Sequence, residues 1–219
     1  MTRFSKRLTT HRFVTDVATL SSGKAFAAII RGALVPIIAR LYLPEHYGLA
    51  ALFVSSTTVL APLGILSFPQ AMVLPEREEE SVGLAVWAVA GLLCLAVLLW
   101  LAILMCNTIG LQILPQLAAW LWAVPVAVGL QGVLIIAENW LTCRKAFALS
   151  AAGDVTQTVT TTGLRVGAGI AFSSAVWPLI GSIISGYLAR LVVYRDSLAH
   201  LARVAVRLNA RMLLDLGRE

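Results

Sequence analysis

Charged residues are scarce in this 219-residue chain: only 13% are Asp, Glu, Lys or Arg, whereas 59% are hydrophobic. A water-soluble domain of this size would have too few polar side chains to cover its surface. Histidine and cysteine are also scarce, with three of each. The cysteines, Cys94, Cys106 and Cys143, show no CxxC spacing, which disfavours a disulfide framework and a zinc site. We predict no enzymatic activity, metal or cofactor, because clustered acids or histidines and long polar loops are lacking.

Long apolar segments are abundant instead, and the mean hydropathy is +0.86. Windows of about 20 residues predict about six membrane spans, near 17–42, 47–73, 82–106, 116–139, 150–172 and 174–194. Runs such as Leu92 to Leu104 do not alternate in polarity, which disfavours a membrane β-barrel. We therefore predict an all-α integral membrane protein in which residues 17–194 form a six-helix transmembrane domain.

Basic residues cluster at every second connection between the predicted spans, which places both termini in the cytoplasm by the positive-inside rule. The net charge of +6 then favours contact with anionic lipid headgroups over nucleic acid. Residues 1–16 are predicted to be a basic cytoplasmic N-terminus. Residues 195–219 are predicted to be a basic amphipathic helix on the cytoplasmic leaflet, or alternatively a linker helix to further spans. The clusters are Arg3, Lys6, Arg7 and Arg12; Arg144 and Lys145; and Arg195, Arg203, Arg207, Arg211 and Arg218.

The first predicted span contains two basic residues, Lys24 and Arg31, seven positions apart and therefore on one helix face. Arg31 lies about 21 Å along the axis from Val17, deep in a hydrocarbon core about 30 Å thick. A cation there costs at least ~2.5–3.5 kcal/mol, so it requires an anionic partner or a water-filled cavity. Two alternatives stay open: Lys24 extends to the cytoplasmic surface, and Arg31 forms a structural pair with a neighbouring helix.

The fifth predicted span is also unusually polar. Asp154, Thr158, Thr161 and Arg165 occur at helical spacing and define one face. Interhelical hydrogen bonds account for the threonines but not for Arg165. We predict that Arg165 faces a cavity, and that Asp154 either tunes Arg165 or carries a coupling proton.

Two further patterns predict packing and pairing. Gly163 and Gly167 form a GxxxG motif, to which Gly169 adds another small residue, and such spacing is typical of closely packed membrane helices. Glu138, near the cytoplasmic end of the fourth span, is predicted to pair with Arg144 or Lys145. Prolines 62, 69, 125 and 178 interrupt or begin predicted spans, as is common in transporters that bend or line a cavity.

The segment from Ala39 to Leu49, ARLYLPEHYGL, resembles the ARxLxPxxYG segment between the first two helices of bacterial polysaccharide flippases. These are the O-antigen and exopolysaccharide translocases of the multidrug/oligosaccharidyl-lipid/polysaccharide superfamily. Gly64 to Val73 with the acidic residues at 76–80 resembles the family's second helix and its exit. The sequence RKAF, from Arg144 to Phe147, resembles the basic loop before the fifth helix.

Members of that family have twelve or more helices in two lobes, and this chain resembles the N-terminal lobe only. The resemblance implies a half-size flippase in the bacterial inner membrane, moving an undecaprenyl-diphosphate-linked oligosaccharide with a second copy or a second-lobe partner. Lys24, Arg31 and Arg165 are the candidate diphosphate ligands, inferred from depth and facing. The alternatives are a non-transporting scaffold or truncated remnant in a glycan assembly complex, and half of a multidrug exporter.

Overall fold

The computed structural model of the protein describes residues 2–66, 68–72, 78–108, 120–171 and 176–216. Within these ranges the chain forms helices and no strands, which confirms the all-α prediction. The helices are α1 (Thr2–Leu41), α2 (Pro44–Gly64), α3 (Phe68–Ala71), α4 (Glu78–Thr108), α5 (Ala123–Cys143), α6 (Phe147–Ala171) and α7 (Trp177–Leu216).

Four segments in the described part of the chain are long and apolar enough to cross a membrane: Pro44–Gly64, Ser81–Thr108, Ala123–Cys143 and Trp177–Arg207. They lie in α2, α4, α5 and α7 and identify a multi-pass membrane protein. The first and fifth predicted spans are helical too, as α1 and α6, but neither is among these four. These two helices carry the charged and polar residues that the sequence singles out.

Several predicted boundaries were wrong. The second span does not run to residue 73, because α2 ends at Gly64 and Leu66 follows with a positive φ of 49°. A left-handed residue of this kind ends an α-helix. Pro69 therefore lies in the separate short helix α3 rather than interrupting a span. Pro125 lies in the first turn of α5, where proline is tolerated, and the predicted fourth span is interrupted just before this helix, since residues 120–121 are helical and Trp122 is a turn.

The terminal helices are longer than the predicted spans. Each contains 40 residues, which corresponds to about 60 Å, twice the thickness of the hydrocarbon core. No separate helix begins at residue 195, because α7 continues from Trp177 to Leu216 and residues 194–198 include neither glycine nor proline. Beyond that point α7 still packs on α5, where the rings of His200 and Trp140 stack with their centroids 6.3 Å apart.

Helix α1 runs parallel to α6 and packs along it. A Cβ atom added at Gly23 would lie 2.7 Å from Cβ of Ala151, and one at Gly169 would lie 3.0 Å from the ring of Tyr42. The two contacts occur in the same order along both helices, which sets the parallel direction. At Gly23 a larger residue would force the helices to shift, and at Gly169 it would be tightly packed.

Helix α7 packs antiparallel to α6, on a different side of α6 from the one that α1 contacts. Gly153 faces the ring of Tyr194, and Gly186 faces the hydroxyl of Thr161. Because α1 is parallel to α6 and α7 is antiparallel to it, the start of α1 and the end of α7 lie at the same end of the bundle.

The predicted GxxxG contact was wrong within the described structure. A Cβ atom added at Gly163 or Gly167 would meet no atom within 4 Å. Gly169, which follows the motif, does lie close to a neighbouring helix, and the glycines of α6 and α7 in closest contact with each other's helix are Gly153 and Gly186. The spacing of the glycines alone did not show which face of the helix packs against a neighbouring helix.

Candidate functional site

A cavity of about 480 Å³ lies between α1, α2, α6 and α7. This volume is within the usual range of ligand pockets. One whole wall comes from the polar face of α6, and the other helices contribute Arg31, five residues of α2 and three of α7. The α6 residues on this wall are Asp154, Gln157, Thr158, Thr161, Thr162 and Arg165. They include all four residues that helical spacing placed on one face.

Arg165 lies towards the end of the cavity remote from the chain termini. Its Nε atom donates a hydrogen bond to Oγ of Ser182, at 3.2 Å, and its backbone carbonyl accepts one from the Tyr42 hydroxyl, at 2.8 Å. No carboxylate in the described part of the chain forms an ion pair with it. Arg165 is therefore a cation in an apolar helix bundle with neutral partners.

Arg31 lines the same cavity from α1. Its Nε atom lies 3.4 Å from the carbonyl oxygen of Ala27, one turn earlier in its own helix. The alternative of a structural ion pair with a neighbouring helix is not observed among the described residues. Arg31 and Arg165 thus bring to one chamber two positive charges that have no carboxylate partner among the described residues.

Lys24, the third predicted diphosphate ligand, is not among the residues that line the cavity. It is exposed next to Gly23, where α1 contacts α6.

Arg190 of α7 also lines the cavity, and the sequence reasoning missed it. It is only 8% exposed, and its guanidinium joins three helices. Nη2 contacts a carboxylate oxygen of Glu138 and lies 2.6 Å from Oδ1 of Asp154. Nη1 donates to Oε1 of Gln157, at 2.9 Å, and Nε donates to the Tyr194 hydroxyl, at 3.0 Å. Depth did not single out Arg190, because it lies about 6 Å along the helix before the end of the predicted sixth span at residue 194.

This network corrects two predicted pairings. Glu138 does not pair with Arg144 or Lys145, because its carboxylate contacts Arg190. Arg144 instead stacks over the ring of Trp140, with 5.7 Å between its Cζ atom and the ring centroid. Asp154 pairs with Arg190 rather than Arg165, from which it is separated by about 16 Å along α6.

The charges divide the cavity into two regions. Around Arg190 the positive charge is balanced by Glu138 and Asp154. Arg31 and Arg165, elsewhere on the lining, form no ion pair with a described carboxylate, and the hydroxyl-bearing residues Ser55, Thr161 and Tyr47 line the same cavity. Such a surface suits an anion that also carries hydrogen-bonding groups. The described residues contain no group of three or more His, Cys, Asp or Glu side chains able to hold a metal ion.

Comparison of the chain with protein-family models, with curated proteins and with solved structures gave no match. The resemblance to polysaccharide flippases therefore depends on the sequence segments themselves. In the structure, the segment from Ala39 to Leu49 forms the corner between α1 and α2. Its Pro44 begins α2, and its Tyr47 lines the cavity.

Proposed function

We propose that the chain is one lobe of a flippase that moves a lipid-diphosphate-linked oligosaccharide across the bacterial cytoplasmic membrane. The observation that carries the proposal is the cavity between α1, α2, α6 and α7, where Arg31 and Arg165 lack carboxylate partners among the described residues. The ligand that such a chamber favours is an anion.

A diphosphate supplies the missing counter-charge. Coulomb attraction is stronger inside a helix bundle than in water, and guanidinium groups bind phosphate oxygens in bidentate geometry. The threonine and serine hydroxyls along the same walls provide hydrogen-bond partners for sugar hydroxyls. A lipid-linked oligosaccharide combines both chemical features with a tail that remains in the bilayer.

The proposed topology has six spans, formed by α1, α2, α4, α5, α6 and α7, with both termini in the cytoplasm. The helix directions support it, because the start of α1 and the end of α7 lie at one end of the bundle. The basic residues Arg144 and Lys145, in the turn before α6, lie at that same end, as the positive-inside rule requires of a cytoplasmic face. The basic segment 195–219 then belongs to the cytoplasmic side.

We further propose that a second copy or a separate second-lobe partner completes the translocation path. Flipping by alternating access moves one bundle against another around a shared site. We propose Asp154 as the coupling residue because it lines the cavity and forms an ion pair with Arg190 of α7. A movement of α6 relative to α7 would alter that ion pair. A cationic-drug exporter is less favoured, because three arginines and one carboxylate line the cavity.

The test is translocation of a fluorescent oligosaccharide linked through diphosphate to undecaprenol, in proteoliposomes with and without a second-lobe protein. We expect movement between leaflets in at least one arrangement, with loss of movement in Arg165→Ala and retention in Lys24→Ala. The lysine is the matched control because it lies outside the cavity lining. No movement with any partner would favour the scaffold or remnant alternative.

A further inference from the structure

The hydroxyl of Ser182, in α7, connects Arg165 of α6 to a backbone carbonyl of α7. The residue is only 2% exposed, and its hydroxyl donates a hydrogen bond to the carbonyl oxygen of Leu179, at 2.6 Å. A serine hydroxyl has one proton, so this bond leaves its oxygen to act as an acceptor. Arg165 Nε donates to that oxygen, at 3.2 Å. Ser182 is therefore oriented by its own helix to receive the guanidinium.

The close contact between α6 and α7 brings these groups together. Gly186, one turn from Ser182, faces the hydroxyl of Thr161, one turn from Arg165. Because the helices are antiparallel, the two pairs lie side by side. A larger residue than glycine at 186 would separate the helices and lengthen the bond from Arg165 to Ser182.

The bond to Ser182 uses one of the five N–H donors of the Arg165 side chain. The other four, on the two terminal nitrogens, have no hydrogen-bond or ion-pair partner within the described part of the chain. Those nitrogens form the edge that binds two phosphate oxygens in a bidentate contact. Arg190, in contrast, has its donors engaged by Glu138, Asp154 and other neighbours.

We propose that Ser182 is a positioning residue for ligand binding: it holds Arg165 by Nε and leaves the terminal nitrogens to the anion. This inference rests on the proposed function, because it assumes that Arg165 contacts a diphosphate. Ser182 itself, at 2% exposure, does not need to touch the ligand. Its effect on affinity should therefore depend on the presence of Arg165.

The experiment is a double-mutant cycle on the full chain in detergent, with farnesyl diphosphate as the probe and binding measured by calorimetry. We expect Ser182→Ala to weaken binding roughly two- to tenfold, and Arg165→Ala roughly tenfold to a hundredfold. In the Arg165→Ala background, Ser182→Ala should change affinity by less than about twofold. Ser56→Ala is the matched control, since within the described part of the chain that hydroxyl bonds to carbonyls of its own helix alone.

The outcomes separate the two proposals. Equal losses from Ser182→Ala in both backgrounds, or no loss in the otherwise unaltered protein, would overturn the positioning role while leaving the proposed function intact. Unchanged binding in Arg165→Ala would overturn the proposed ligand site itself. If Ser182→Ala does not fold, Ser182→Cys keeps a similar volume with a much weaker acceptor, and the same cycle applies.

Discussion

Replacing Arg190 with methionine is expected to destabilise the bundle more than any single change to its partners. The Arg190 side chain is 10% exposed and contacts carboxylates from two different helices. Methionine retains much of the aliphatic volume but donates no hydrogen bond. Glu138 and Asp154 would then face each other as two acids in an apolar bundle.

The expected loss follows from how deeply each acid is buried. Removing one partner of a buried ion pair costs about 3–5 kcal/mol, because the remaining charge is uncompensated. The Asp154 side chain is 16% exposed, whereas that of Glu138 is 38% exposed. Most of the loss therefore comes from Asp154, and we expect about 3 kcal/mol for Arg190→Met. Asp154→Asn should cost less than this, and Glu138→Gln least of all.

The free energy of unfolding can be measured by titrating dodecyl sulfate into detergent micelles and following helicity by circular dichroism. The triple variant Arg190→Met, Glu138→Gln, Asp154→Asn should recover to within about 1 kcal/mol of the unaltered protein, since no unpaired charge remains. A loss below about 1 kcal/mol for Arg190→Met, or a larger effect for Glu138→Gln than for Asp154→Asn, would refute this reasoning.

Gly153→Ala should destabilise the protein by about 1–3 kcal/mol, because the new Cβ would meet the ring of Tyr194, whereas Gly163→Ala on the same helix should be neutral or slightly stabilising. The same unfolding assay tests both, and equal effects would contradict the assigned contacts. Tyr42→Phe should cost about 1 kcal/mol through loss of the bond to the Arg165 carbonyl, and an unchanged unfolding curve would count against it. Reporter fusions at the two termini should report the same side of the membrane; opposite sides would exclude the six-span topology.

Hydropathy and helical periodicity predicted the parts of this structure that depend on local sequence. The polar spacing of Asp154, Thr158, Thr161 and Arg165 identified one face of α6, and that face lines the cavity. Periodicity succeeds here because a helix places residues three and four apart on one side whatever its neighbours are.

Contacts between helices that are distant in the sequence could not be predicted from hydropathy or helical periodicity. The contact of Glu138 with Arg190 joins residues of α5 and α7, and nearer basic residues offered a simpler partner in the sequence. The GxxxG motif has the right spacing, yet Gly163 and Gly167 have no neighbour within 4 Å of an added Cβ. Sequence spacing shows which residues share a helix face, but only the tertiary arrangement shows which neighbour that face contacts.

The most direct test of the central claim is the affinity of the purified chain for farnesyl diphosphate compared with farnesol, in the unaltered protein and in Arg31→Ala and Arg165→Ala. We expect a preference for the diphosphate that each arginine substitution reduces roughly tenfold or more, while Lys24→Ala retains it. Equal affinity for the two lipids, or a preference that survives both arginine substitutions, would contradict it.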